Sequence, residues 1–300
     1  MARGSVHVGI SGWTYGGWRG PFYPRGLPHR RELEYASRRL NAIEINGTFY
    51  SLQRPSSFGT WYDETPAGFR FALKGSRFIT HMKQLNDVHT AVANYFASGV
   101  LRLKEKLGPI LWQFSARRRF DAERFNAFLG LLPRTTRAAA AIARRHDHRL
   151  KVAPWLKPGP NRPLRHAFEV RHESFFNDEF IDVLRCHDAA LVFSDAGAEW
   201  PYAEDVTADF IYIRLHGAEE IYASGYDDPA LEQWAKRIRS WQAGREPRGA
   251  RRSGTRRAGR TAARDVYVFF DNDRKVRAPH DAMRLADMLG LDWKERHADE

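Results

Sequence analysis

Hydrophobic positions along the chain fall in short runs, and between the runs they recur at a different spacing. Eight runs read as strands: "VHVGIS" (6–11), "AIEIN" (42–46), "FRFALK" (69–74), "PILWQF" (109–114), "HAFEVR" (166–171), "ALVFSD" (190–195), "FIYIRLH" (210–216) and "VYVFFDN" (266–272). Between them apolar residues return every three or four positions, the helical period, around 32–40, 87–107, 121–132, 177–188, 228–241 and 279–289. Several of these segments open on Asp or Asn, whose side chains accept from free amides at a helix start. After the sixth strand the chain reads "AGAEWPYAEDVTA", with no helical pattern. The connection 134–165 is long: an Ala/Arg helix, "RAAAAIARRHD", then the Pro-rich "APWLKPGPNRP". It reads as a surface excursion within one domain.

Strands that alternate with helices predict a parallel sheet. Eight such units predict a closed (β/α)8 barrel of the TIM type, one domain over 1–300 with its core at about 6–290. The rival is an open doubly wound sheet, which would carry a Gly-rich phosphate loop after the first strand. "SGWTYGGW" stands there instead, with the wrong spacing. No nucleotide cofactor is therefore expected.

In a barrel, one face of each strand packs on helices and the other points to the axis, alternating residue by residue. Strand two turns Ile43 and Ile45 out, and Glu44 and Asn46 in. Strand three turns Lys74 in, strand four Gln113, strand five Glu169 and Arg171. Strand seven turns Tyr212, Arg214 and His216 in. Strand six ends on Asp195, and strand eight on Asp271 and Asn272, one of which faces inward. One ion pair on one strand would be structural. Charged groups near the C-terminal ends of most strands read as a site, because that end of a barrel is where its loops build one.

The chemistry of these residues narrows the reading. Arg171, Arg214 and Lys74 suit a phosphate or carboxylate. Glu44 and Glu169 suit proton transfer, with His216 as a third candidate. Asn46, Gln113, Asp195 and Asn272 complete the expected ligand contacts, and Trp13 and Tyr15, after strand one, suit stacking on a sugar or base. Phe49 and Tyr50 follow strand two in the same way. Three cations on the same face would repel a divalent ion, so no metal is assigned, although Glu44, Glu169, Asp195 and His216 have the right donors. His81 and His172 are expected to brace loops or touch substrate. No nucleophile elbow is present. The single cysteine, Cys186, sits in a helical pattern and is expected to be a buried thiol.

Composition adds limits. With 43% hydrophobic residues the chain can build a core, and one cysteine permits no internal disulfide or cysteine-rich zinc module. No signal-like leader or membrane-length apolar run is present, so a cytoplasmic protein without membrane partners is expected. The formal charge of +12 would suggest a nucleic-acid partner. Residues 244–264 alone hold eight Arg and one Glu, a net +7, leaving 12 − 7 = +5 for the rest. That Gly/Ala/Arg segment lacks apolar periodicity and predicts a disordered insertion.

The segments "GISGWTYGGWRGPFYP", "EINGTFYSL", "FALKGSRFITH", "GPILWQF", "FEVRHESF", "YIRLHG" and "VYVFFDND" occur in this order. Together they resemble the YecE-like family, domain of unknown function 72, over roughly residues 6–290. The resemblance implies a TIM barrel and no particular reaction. The Arg-rich 244–264 departs from it, where a short connection is expected. Three function classes follow. The first is an enzyme, a hydrolase or isomerase, acting by acid–base chemistry on a small anionic or polyhydroxy ligand. The second is a nucleic-acid-binding or processing protein that uses 244–264. The third is a non-catalytic small-molecule binder.

Overall fold

A computed structural model describes residues 4–217, 220–259 and 261–293. Its strands are β1 (Val6–Ser11), β2 (Ala42–Ile45), β3 (Arg70–Lys74), β4 (Leu107–Gln113), β5 (His166–Glu169), β6 (Ala190–Asp195), β7 (Phe210–Leu215) and β8 (Asp265–Phe270). They pair in chain order, and β8 closes on β1. Every pairing is parallel. The chain is thus a (β/α)8 barrel. The helices are α1 (Glu32–Ser37), α2 (Gly47–Tyr50), α3 (Pro55–Asp63), α4 (His89–Ala97), α5 (Ala122–Leu131), α6 (Thr136–Ala143), α7 (Asp178–Cys186), α8 (Asp228–Gln242) and α9 (Arg277–Leu289). None is long and apolar enough to cross a membrane.

Strand alternation produces two apolar layers. The outward set includes Ile43, Ile45, Phe71, Leu73, Phe168, Ile213 and Val268, packed under the helices. The inward set is small: Ala42, Ala72, Leu111, Ala167, Val192, Phe210, Tyr212, Tyr267 and Phe269. Small residues on β2, β3 and β5 make room for the aromatic rings of β7 and β8, which fill the axis. At the N-terminal end His7 stacks on Tyr267 at 4.8 Å, and Arg165 pairs with Asp265 at 2.6 Å. That end is plugged, and the charged positions lie at the other.

Three local expectations need correction. The helical pattern 87–107 stops at Ala97. Gly99 has φ +120°, and a Cβ there would lie 2.6 Å from Pro55 Cα, so the chain turns and continues as a 3-10 segment, Val100–Lys106. Helices α2 and α3 lie within 47–63, a stretch outside the helical patterns of the sequence. Cys186 ends α7 and is exposed rather than buried, because the apolar stripe of that helix runs through Phe180, Ile181 and Leu184. The connection after β6 is irregular, as its sequence predicts.

The described residues of 244–264 form no helix or strand. Its central turn is docked on the barrel. Asp205 accepts from the Ser253 amide at 2.7 Å and the Gly254 amide at 3.1 Å, Asp178 accepts from the Thr255 amide at 2.6 Å, and Glu204 from the Arg251 amide at 2.9 Å. These acids lie in the β6–β7 connection and at the start of α7. They bind the segment's backbone, a feature that its side-chain composition does not encode.

Candidate active site at the barrel mouth

Arg214, the inward residue near the end of β7, organises the mouth. It is fully buried. One terminal nitrogen donates to Glu169 Oε2 at 2.8 Å, and the other to Glu44 Oε1 and Asp271 Oδ2, both at 2.9 Å. Its Nε is buried without a partner. Glu44 and Glu169 are also fully buried. Glu44 accepts further from Ser11 Oγ at 2.9 Å and from the Tyr212 hydroxyl at 2.6 Å. Glu169 Oε1 accepts twice from Arg171, at 2.8 and 2.6 Å, and Oε2 accepts from Gln113 at 3.0 Å.

These contacts set the charges. Burial works to raise the Glu169 pKa, but the Arg171 and Arg214 guanidiniums outweigh it and hold the carboxyl well below the usual range. Asp271 is likewise held low, with Arg214 overriding burial. Burial, and then Arg214, lowers His216. Its Nδ1 lies 3.1 Å from Asp271 Oδ2 and its Nε2 3.9 Å from Glu169 Oε1. Lys74 is also lowered, first by burial and then by Arg214. The mouth thus sets the Glu44, Glu169 and Asp271 carboxyls, the last two held low, beside the side chains of Arg171, Arg214 and Lys74.

Of the expected contacts, Glu44, Lys74, Gln113, Glu169, Arg171, Arg214 and His216 come together here. Arg171 lies just beyond β5, its side chain 16% exposed, with its guanidinium 4.0 Å over the Trp200 ring. Asn46 follows β2 with its Oδ1 buried and unpartnered. Tyr15 is tied down by donating to the Ser11 carbonyl at 2.6 Å, and Trp13 meets Trp61 edge-on at 5.6 Å. His81 stands edge-on to Phe49 at 5.2 Å, and His172 caps a turn by accepting from the Ser174 amide.

Two expected contacts lie elsewhere. Asp195 shares parity with Leu191 and Phe193, which pack outward, and it accepts from the Tyr226 hydroxyl at 3.1 Å. Ser194 takes the inward place and accepts from Trp200 Nε1 at 3.0 Å. At the end of β8, Asp271 is the inward member of its pair. Asn272 donates to the Ser224 carbonyl and to Asp281, both at 2.9 Å, behind the barrel wall. The third carboxylate of the cluster is therefore Asp271, not Asp195.

Sequence reasoning also passed over several members. Ser11 has the parity of the inward set and could have been found by it. Trp200 and Tyr222, which stand edge-on to His216 at 5.4 and 5.5 Å, lie in irregular loops with no periodic signal. Asp273 follows β8, half-buried, and its carboxyl is pushed up to about 6 by burial and by Asp271. Among the described residues no group of His, Cys, Asp and Glu is arranged to hold a metal ion. The converging carboxylates are bound to arginines.

Comparison with known proteins gives a consistent picture. The family model described as "Protein of unknown function DUF72" matches residues 7–300. The chain is similar to the UPF0759 protein YunF of Bacillus subtilis (strain 168), at 19% identity over 317 residues and 96% of both chains. It is similar to the UPF0759 protein YecE of Escherichia coli (strain K12), at 27% identity over 90 residues, 30% of each chain. Among solved structures it is similar to a DUF72 family protein from Thermotoga maritima MSB8, with TM-score 0.70 and 24% identity, covering 95% of this chain and 99% of that one. A DUF72 family protein from Enterococcus faecalis V583 superposes with TM-score 0.68 at 16% identity, covering 95% and 96%.

Proposed function

The chain belongs to the DUF72 family of proteins of unknown function, and from the geometry of its barrel mouth we propose that it is an enzyme acting by acid–base chemistry on a small phosphorylated or sugar-like molecule. The observation that carries the reading is the position of Arg171. It stands at the rim, partly exposed, with two donors on a carboxylate that is itself completely sealed. An anion arriving at the mouth competes for that guanidinium. When Arg171 turns to the anion, Glu169 Oε1 loses both donors and one neutralising charge. Its pKa rises, and the oxygen is uncovered beside the ligand. Substrate binding would thus expose the base that acts on it.

The remaining roles follow. Glu169 takes or returns the proton. Glu44 is the second carboxylate, with Tyr212 hydrogen-bonded to it. His216 lies between Asp271 and Glu169, 3.1 and 3.9 Å from their oxygens, and would carry a proton between them after a small shift of the ring. Lys74, Gln113 and Asn46 would meet the ligand's oxygens, while Trp13 and Tyr15 flank it. Hydrolysis and isomerisation both need only these parts.

Titration of inorganic phosphate by calorimetry tests the reading. Wild type should bind with a millimolar Kd, about 4 kcal/mol. Arg171→Lys keeps the charge but loses the fork, and should bind several-fold more weakly with the fold intact. Equal binding by both proteins, or none up to tens of millimolar, would refute it.

A second reading has its own observation. Arg245, Arg248, Arg251, Arg256 and Arg257 are exposed on the docked segment. Five exposed guanidiniums on one segment would attract a nucleic-acid backbone, with affinity falling steeply as salt rises. Replacing them by Gln should abolish any such binding and leave phosphate binding at the mouth unchanged.

A further inference from the structure

Lys74 is the last residue of β3 and its side chain turns into the mouth. The residue is 8% exposed. Its backbone is fixed: the carbonyl accepts from Thr48 Oγ1 at 2.7 Å and from the Tyr95 hydroxyl at 3.3 Å. Its amine is not. Among the described residues Nζ has no hydrogen bond or ion pair, and it lies 5.0 Å from the centroid of the Phe49 ring. The other lysine buried among the described residues differs: Lys106 Nζ donates to the carbonyls of Tyr62 and Thr65. An unpaired ammonium on a largely buried side chain is costly, and an amine with a free lone pair is a nucleophile.

We propose that Lys74 is a nucleophilic amine that forms an imine with the carbonyl carbon of a small aldehyde or ketone bound at the barrel mouth. Neutral Nζ adds to the carbonyl carbon, the C=O electron pair moves to oxygen, and a proton passes from the added nitrogen to that oxygen. The resulting carbinolamine hydroxyl takes a second proton from a neighbouring acid and leaves as water while the nitrogen lone pair forms C=N; the nitrogen's remaining proton then returns to that acid, or stays on as the iminium. Amine and carbonyl give imine and water, with nothing oxidised or reduced.

The surroundings suit both ends of this step. Burial and Arg214 disfavour the ammonium form of Lys74, against Glu44, Asp271 and Glu169, which favour it. Arg171 and His81 also line this side of the mouth. Once formed, a protonated imine is a fixed cation. It would share its end of the barrel with the Glu44, Glu169 and Asp271 carboxyls, of which Glu169 and Asp271 are held low. That cation draws electrons from the neighbouring carbon, so a carboxylate freed at Glu169 can remove a proton there. The inference deepens the acid–base reading and rests on it for the anion; the nucleophile itself rests on the amine.

Borohydride trapping separates the two. Wild type is incubated with propionaldehyde, which has no anionic group, or with dihydroxyacetone phosphate, then reduced and digested with trypsin. An alkylated Lys74 resists cleavage, so the label should appear in a peptide spanning residues 71–77. Label at Lys74 should accumulate at least tenfold faster than at any exposed lysine, and should be absent from Lys74→Met. If dihydroxyacetone phosphate then labels no better than propionaldehyde, the nucleophile stands and the anion site fails. Label spread over surface lysines with Lys74 no faster, for both probes, overturns the nucleophile whatever phosphate binding shows.

Discussion

Replacing Arg214 by Met tests the organisation of the mouth most directly. The side chain keeps similar length but loses the guanidinium, leaving Glu44, Glu169 and Asp271 without the partner they share at 2.8–2.9 Å. Removing one member of a buried ion pair costs about 3–5 kcal/mol. The carboxyls can relieve this by taking a proton. For a carboxyl with an ordinary pKa of about 4.3, protonation at pH 7 costs roughly 2.7 × 1.36, about 4 kcal/mol, and at pH 5 about 1 kcal/mol. The loss relative to wild type should therefore be about 4 kcal/mol at pH 7 and near 1 kcal/mol at pH 5. The signs oppose one another. In wild type Glu169 and Asp271 are held low, so their stabilisation is present above about pH 4 and is lost only as pH falls through their folded values. In the variant the orphaned carboxyls are raised, so stability falls as pH rises. Urea unfolding at pH 5, 6 and 7 measures this. A difference below about 1 kcal/mol at pH 7, or one that does not change with pH, would refute the ion network as described.

Three further outcomes can be checked. Gly75→Ala would place a Cβ 2.3 Å from the Trp112 ring, so the melting midpoint should drop by an amount equivalent to at least about 2 kcal/mol; a neutral substitution would mean the β3–β4 approach is looser than described. Asp205→Ala removes the acceptor for the Ser253 and Gly254 amides, and trypsin should then cut at Arg251 and Arg252 several-fold faster while the barrel melts unchanged; an unchanged cutting rate would mean the docking adds nothing. His166, lowered to about 4 chiefly by burial, hydrogen-bonds Trp112 Nε1 through Nδ1 and the Pro133 carbonyl through Nε2. It is held neutral while the unfolded chain protonates below about 6.5, so up to roughly 3 kcal/mol of stability should be lost from pH 6.5 to 4, and an NMR titration of its ring showing an ordinary midpoint would contradict this.

The barrel was legible because its strands are short, apolar and separated by helical patterns. The site was legible where flanking residues declare the parity. In "AIEIN" the isoleucines on either side of Glu44 fix which way it turns. In "ALVFSD" they do not: a parallel strand buried on both faces is apolar on both, so Ser194 and Asp195 look equally able to face inward, and the charge was mistaken for the signal. Asp271 and Asn272 pose the same one-residue ambiguity. Trp200, Tyr222 and Asp273 sit on loops, where neither the period of two nor that of 3.6 applies. The docking of 251–255 was hidden for another reason. Its partners are backbone amides, and the acids that accept from them lie far off in sequence.

The charged mouth has a structural explanation to overcome, since ion networks also arise in barrels that bind nothing there. Buried ion pairs are poor stabilisers, and apolar residues of similar volume commonly hold a fold as well or better. A network kept for stability alone should at least be closed. This one is not: Arg214 Nε and Asn46 Oδ1 are buried without partners, and the amine of Lys74 is unpaired among the described residues although three carboxylates share its end of the barrel. The paired part makes the charges rigid, and the unpaired atoms lie within the same cluster. Arg171 stands between the two parts, with its donors on Glu169 and its edge in the open. On the proposed reading it is a contact that an incoming anion would take, and the sealed Glu169 would become available once something has bound.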